Sequence, residues 1–335
     1  MLEPMEQNMS PTIPGIHHVT AITADAQRNI DFYCGVLGLR LVKLTVNFDD
    51  PGSYHLYYGD ELGRPGTIMT FFAWPGAVRG RVGPPQVTAA ALAVPEGALD
   101  YWSTRLVERN VPFQASAGRF DERTLQLNDP DGIQLDIVSV AEPGGHAWAG
   151  SVVPSEYAIR GFHGVAIAEE GHESTAKLLT DVMGFQAQGS DGNCFRYRAG
   201  TGAGFAATVD LLCVPDARCG ELGAGIVHHV AFRTPDDAAQ EAWRAQLVRL
   251  GFNVSPIMDR SYFHSVYYRE PGGVLFEIAT DNHGFTADEP AEQLGTRLML
   301  PKQLERHRAA IERALPRVRL PAASSAHAPQ SARTR

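Results

Sequence analysis

Gly15-Ile-His-His-Val-Thr20 returns late in the chain as Ile226-Val-His-His-Val-Ala231, and between them lies a broken copy, Gly161-Phe-His-Gly-Val-Ala166. Apolar or small residues flank the histidines each time, so each copy reads as a short buried strand. Two adjacent histidines on a buried strand are costly, because every ring nitrogen needs a partner. The pair occurs twice, in matched positions of a repeat, which makes it the main functional signal of the sequence.

Around the first copy the sequence predicts strand, helix, strand, strand, strand. A strand over 15–23 leads to a helix capped by Asp25 and running to Leu37, with Ile30, Tyr33 and Leu37 on one face and Gly38 as its stop. Strand-like runs follow at 40–48, 54–59 and 67–73. The order then repeats. A second unit has strands at 87–94, near Phe113, near Thr124 and at 133–138, and a helix over 99–110. A third opens at Gly161, has its helix over 174–183 and ends with a strand over 208–213. A fourth opens at Ile226, has its helix over 236–250 and ends over 274–279. An internal repeat of this kind is the first thing to explain.

The reading is an α+β chain of four βαβββ modules in two tandem domains. Residues 1–13 form a loose tail, 14–145 the N-terminal domain, 146–159 a Pro/Gly-rich linker and 160–285 the C-terminal domain. Residues 286–320 form an extension with an amphipathic helix opened by Pro301 and ending near Leu315, and 321–335 a disordered tail.

Composition bounds the function. The chain has 335 residues, 44% of them hydrophobic and 20% charged, as in soluble globular proteins. A net charge of -9 without a phosphate-binding basic block argues against a nucleic-acid partner. No apolar run approaches the ~20 residues of a membrane span, and no signal peptide opens the chain. Cys34, Cys194, Cys213 and Cys219 lack zinc-type spacing and read as free thiols in a reducing cytoplasm.

Aligning the units puts His17, His163 and His228 in one column and His18, Gly164 and His229 in the next. Neighbouring strand residues face opposite sides, so one column lines a shared pocket. Spacing alone leaves both columns open; a lost ligand at Gly164 favours the second, with one live and one dead site. The final strands add Glu277 in unit four and Asp136 in unit two, with Phe71 aligned to them in unit one. A carboxylate in an apolar strand needs a cation or strong donors. His18, His229 and Glu277 together match the 2-His-1-carboxylate pattern of non-heme Fe(II) sites, which leave positions open for water, dioxygen and substrate. Asp136 and His163 read as relics of a second site. His55, His146, His172 and His283 read as ordinary structural histidines, with His264 set apart because it lies beside site candidates.

The βαβββ repeat with its His-His-Val stretches and Pro271-Gly-Gly-Val-Leu-Phe-Glu277 resembles the vicinal oxygen chelate superfamily of glyoxalases and extradiol dioxygenases. Within it the chain is most similar to the ring-cleaving hydroquinone dioxygenases, including the chlorohydroquinone 1,2-dioxygenases. Tyr54-His-Leu-Tyr-Tyr-Gly-Asp60, Arg160-Gly-Phe-His163, Asp259-Arg260 and Gly284-Phe-Thr286 carry that likeness, which covers most of residues 14–316. The resemblance implies that units one and four pair around the live site. It implies Fe(II), with Mn(II) as an alternative, held by His18, His229 and Glu277. It also implies catalytic roles for His17, His228, Arg260 and Tyr267, and a pocket position for Thr20. Tyr262 and His264 are expected at the substrate, although the loop after Asp259 is shorter than in those enzymes and His264 replaces an acid. The expected partners are a small aromatic substrate and O₂, with homo-oligomerisation left open. In the expected reaction, His228 or Tyr267 helps to deprotonate a phenol and Arg260 holds an anionic oxygen. Alternatives are an extradiol catechol dioxygenase, a glyoxalase-like isomerase or lyase, and a metal-free binding protein.

Overall fold

A computed structural model describes residues 12–117, 119–200 and 205–321; most of both predicted tails lies outside the described residues. In chain order the first unit comprises β1 (Ile16–Thr23), α1 (Ala26–Ile30), β2 (Arg40–Val46), β3 (Tyr54–Gly59) and β4 (Ile68–Ala73). The second comprises β5 (Gln86–Pro95), α2 (Leu99–Glu108), β6 (Phe113–Ser116), β7 (Thr124–Asn128) and β8 (Gln134–Val140). The third comprises β9 (Gly161–Glu169), α3 (Glu173–Lys177), β10 (Phe185–Asp191), β11 (Cys194–Ala199) and β12 (Thr208–Cys213). The fourth comprises β13 (Val227–Thr234), α4 (Asp237–Arg249), β14 (Met258–Asp259), β15 (His264–Arg269) and β16 (Leu275–Thr280), and α5 (Arg308–Ala314) follows.

All four units are βαβββ. The helix starts follow from side-chain capping: Asp25 accepts from Arg28 N and Asp236 from Ala239 N, worth about 1 kcal/mol each. The first helix widens after Ile30 into a π-type turn, Asp31–Val36, and the third does the same over Leu178–Val182. The sequence reading gave no bounds for β10, β11, β14 and β15, although the βαβββ repeat requires them. Six of the seven β10 residues are exposed, so this edge strand carries no alternation. The C-terminal helix starts at Arg308, later than expected from Pro301. Met299 N donates to Leu44 O, which pins the chain to β2 before the helix begins.

Two eight-stranded sheets result. One runs β14-β15-β16-β13-β1-β4-β3-β2 and joins units four and one; the other runs β10-β11-β12-β9-β5-β8-β7-β6 and joins units three and two. Each sheet therefore takes strands from both tandem halves, as the resemblance implied for units one and four. The two seams are equivalent: β1 pairs β13 antiparallel with His18 opposite Ala231, and β9 pairs β5 antiparallel with Gly164 opposite Ala91. Helices cover the outer faces, and Trp102 and Trp243 are fully buried there. Burying a large apolar side chain stabilises by roughly 1.5–3 kcal/mol, so these two anchor their helices.

Candidate metal centre and pocket

Register builds the site. Thr20 lies opposite His229 across the β1–β13 seam, Ala231 lies opposite Glu277 in β16, and Glu277 opposite Tyr267 in β15. On the other side Thr20 lies opposite Thr70, Thr70 opposite Tyr57, and Phe72 opposite His55. Cross-strand partners and i, i+2 neighbours share a face, so all these side chains meet on the concave side of one sheet.

His18, His229 and Glu277 converge there, buried, with their ligand atoms within 4.8 Å of one another. Glu277 Oε2 lies 3.2 Å from His18 Nε2 and 2.9 Å from His229 Nε2. Even so, neither Glu277 Oε2 nor His229 Nε2 has a hydrogen-bond partner. Buried orphan donors and acceptors are rare and costly, and atoms that crowd one point without hydrogen-bond alignment fit ligands of a common cation. Glu277 Oε1 is held by Ser265 Oγ at 2.5 Å. Burial alone would raise the Glu277 carboxyl, but His18 and His229 outweigh it and hold it well below the ordinary carboxylate range. The group is thus ionised and the His229 imidazole, lowered by burial, is neutral at pH 7. Two imidazoles and a carboxylate form a donor set suited to Fe(II) or a similar divalent ion.

The other histidine column does not follow simple alternation. The β1–β13 register slips between Ile16 and His18 and again between Thr20 and Ala21, which puts His17 and His228 in β-bulges. A bulge re-aims a side chain, and each ring turns to its neighbour: His17 Nδ1 is 2.9 Å from His18 Nδ1, and His228 Nδ1 is 2.8 Å from His229 Nδ1. Burial, then the adjacent imidazole, lowers both; His228 falls to about 3. His17 Nε2 lies 3.2 Å from Thr280 O. A carbonyl only accepts, so neutral His17 carries its proton on Nε2 and accepts at Nδ1 from His18 Nδ1–H. That leaves the His18 Nε2 lone pair facing Glu277.

A pocket of about 350 Å³, counted to its open mouth, lies over the centre. Phe48, Phe72 and Phe263 wall it, and Thr20, Tyr267 and Arg260 line it. Arg260 Nε donates to Tyr267 OH at 3.1 Å and its Nη1 lies 3.3 Å from Asp49 Oδ2. Burial, then Glu277, raises Tyr267, so its hydroxyl keeps its proton at neutral pH. The sequence reading treated His55 as structural, yet it lines this pocket. Tyr57 OH lies 2.9 Å from His55 Nδ1, His55 Nε2 meets Thr70 Oγ1 at 2.7 Å, and Thr70 Oγ1 donates to Thr20 Oγ1 at 3.2 Å. Its placement opposite Phe72 was invisible without the register.

Other predicted residues lie elsewhere. Tyr262 is buried against Tyr57 and Phe285 and donates to Asp288 Oδ2 at 3.0 Å. His264 Nδ1 lies 2.7 Å from Asp237 Oδ1, outside the pocket lining. Phe71 does not share the Glu277 position. By register that position is Thr70, while Phe71 faces the core against Tyr33. A one-residue offset flips a strand side chain to the other face; Thr70 still supplies no carboxylate.

The second sheet lacks such a donor set at the equivalent positions. The positions of His18, His229 and Glu277 correspond there to Gly164, Ala89 and Asp136. A Cβ at Gly164 would lie 2.4 Å from Thr208 O, so no side chain fits. Arg196 lines the hollow there with Asp136 and Gly164, bound to Asp210 at 2.7 and 2.9 Å and to Glu122 at 2.8 Å, with His163 Nε2 2.9 Å from Glu122.

Known proteins match at the level of sequence and fold. A family model described as Glyoxalase/Bleomycin resistance protein/Dioxygenase superfamily matches residues 15–137 and 140–278. MhqO of Bacillus subtilis (strain 168), provisionally named a ring-cleaving dioxygenase, is 47% identical over 92% of this chain and 97% of its own. The chlorohydroquinone/hydroquinone 1,2-dioxygenase of Sphingobium indicum is 38% identical over 88% of this chain and 93% of its own. A crystal structure of a provisionally assigned dioxygenase from Bacillus subtilis superposes with a TM-score of 0.89 at 46% identity, covering 92% of this chain and 99% of that one. No described helix is long and apolar enough to cross a membrane.

Proposed function

The chain belongs to the glyoxalase/bleomycin resistance protein/dioxygenase superfamily, and from that membership we propose an iron(II)-dependent dioxygenase that opens hydroquinone-type aromatic rings with O₂. The observation that carries the reading is the convergence of His18, His229 and Glu277, with orphaned buried atoms, beneath an aromatic-walled pocket. The relatives' names supply the reaction class.

In this reading His18 Nε2, His229 Nε2 and Glu277 hold the metal. Bound there, iron(II) would supply a Lewis acid and a redox partner for O₂. His17 and His228 fix the orientation and tautomer of the two ligand imidazoles from behind. Phe48, Phe72 and Phe263 exclude water around a flat ring. The pocket presents donors. The Arg260 guanidinium and the Tyr267 hydroxyl face it, and Tyr57, His55 and Thr70 form a chain of hydrogen bonds ending at Thr20. Because Thr70 gives its one hydroxyl proton to Thr20, neutral His55 donates to Thr70 from Nε2 and accepts from the Tyr57 hydroxyl at Nδ1. The chain then runs toward Thr20, whose own proton is left for the substrate. Such donors favour a phenolic oxygen that has lost its proton, and so lower the pKa of a bound hydroquinone.

Arg260→Ala tests the pocket. It should keep its iron and lose on the order of 10²-fold or more in kcat/KM, the scale of a lost electrostatic stabiliser. The readout is oxygen uptake with chlorohydroquinone and with catechol beside anaerobic iron content. Faster uptake with catechol would overturn the hydroquinone assignment, and no uptake with either diol in iron-loaded wild type would overturn the dioxygenase itself.

A further inference from the structure

His264, one of the sequence-predicted residues that the pocket leaves out, belongs to another cluster. Among the described residues, three-donor groups with ligand atoms within 4.8 Å of one another occur twice: at the buried centre, and at Asp237, His264 and His283. We propose that this second group is a surface site for a borderline divalent ion of the zinc type.

Three separate elements supply the donors. Asp237 is the first residue of α4, His264 opens β15, and His283 lies in the loop after β16. His264 Nδ1 is 2.7 Å from Asp237 Oδ1, and the His264 and His283 rings are 5.1 Å apart. His283 is held at a φ of 74°, a left-handed backbone that a non-glycine residue adopts at some cost. His264, and to a lesser degree Asn282, holds the Asp237 carboxyl below its ordinary range, yet the Asn282 carbonyl oxygen is buried without a partner. The cluster thus presents two imidazoles and a carboxylate, with an unpaired amide carbonyl beside them. The side chains of His264 and Asp237 are 26% and 49% exposed, so water can complete the coordination of an ion and an ion can reach the site. Imidazole and carboxylate ligands at this count suit Zn(II) better than Mg(II) or Ca(II), which prefer all-oxygen shells.

The site would touch the active centre through Phe263 and through Thr280, whose Oγ1 accepts from His264 N and whose carbonyl faces His17 Nε2. Phe263 precedes His264, and its ring lies 5.0 Å from that of His17 and 5.1 Å from that of His18. An ion here ties the start of β15 to α4 and to the loop after β16, which stiffens that wall of the pocket.

The test uses iron-loaded protein dialysed against micromolar Zn(II), with both metals counted. Wild type should take up one zinc per chain without releasing iron, and its Tm should rise by a few degrees, as ligand linkage requires. His283→Ala and, separately, Asp237→Asn should lose that zinc and the rise in Tm while keeping their iron. Zinc uptake matched by iron release, no uptake at all, or equal uptake by wild type and both variants would overturn the proposal. None of these outcomes depends on the ring-cleaving reaction.

Discussion

His17 sits in a β-bulge and brings its Nδ1 to 2.9 Å from Nδ1 of His18. His17 Nε2–H donates to Thr280 O, so His17 accepts from His18 at Nδ1 and leaves the lone pair of His18 Nε2 toward Glu277. Partners that orient a ligand imidazole typically matter 10–100-fold for metal affinity or activity. His17→Phe should therefore bind iron roughly 10–100-fold more weakly, and His17→Gln, which can offer an acceptor oxygen, should recover part of the loss. Competition with an iron chelator reads this directly. Wild-type affinity in His17→Phe would remove the orienting role.

The chain from Tyr57 through His55 and Thr70 to Thr20 makes a separate prediction. His55→Leu deletes both of its hydrogen bonds, whereas His55→Gln keeps a donor toward Thr70. A net hydrogen bond is worth about 0.5–1.5 kcal/mol. His55→Leu should lower kcat/KM by about 10-fold, His55→Gln should restore much of it, and both should hold wild-type iron. Equal losses in the two variants would show that His55 only fills space.

How far the sequence goes is clearest at the two histidine columns. The repeat and the lost histidine at Gly164 pointed to His18 and His229, and the aligned carboxylate to Glu277, and these three converge because residue type and period are legible in a sequence. Bulges are not written that way, so the turning of His17 and His228 toward their neighbours was hidden. The same limit hid Thr70 behind Phe71, because the stretch from Pro65 to Thr70 is one residue shorter than that from Pro271 to Glu277. His55 looked structural because its role comes from the strand opposite, and β10 went without bounds because an edge strand exposed on both faces has no alternation to read.

Stability should depend on pH through Glu169. This residue ends β9 in one sheet, 1% exposed and with both carboxyl oxygens unpartnered. Glu270 lies close to it, in the turn between β15 and β16 of the other sheet. Burial, then Glu270, pushes Glu169 up to about 8. Between the ordinary carboxyl range and that value the folded protein holds a proton that the unfolded chain lacks, so stability falls as pH rises and levels off above it. The slope from one such group is at most about 1.4 kcal/mol per pH unit. Glu169→Gln mimics the neutral acid, so it should gain on wild type steadily from pH 5.5 to 8 in urea unfolding. A difference between the two that does not change with pH would contradict this.

The central claim is that one iron is held by His18, His229 and Glu277, and that the second sheet holds none. Iron content per chain, measured on protein purified and loaded without oxygen, tests it when Glu277→Gln and Asp136→Ala stand beside wild type. Glu277→Gln keeps the shape and removes the charge, so its iron and its oxygen uptake with chlorohydroquinone should both collapse. Asp136→Ala should keep one iron per chain, as wild type does, because Gly164 and Ala89 leave Asp136 without imidazole partners. Full iron in Glu277→Gln, or a halved content in Asp136→Ala, would contradict the account.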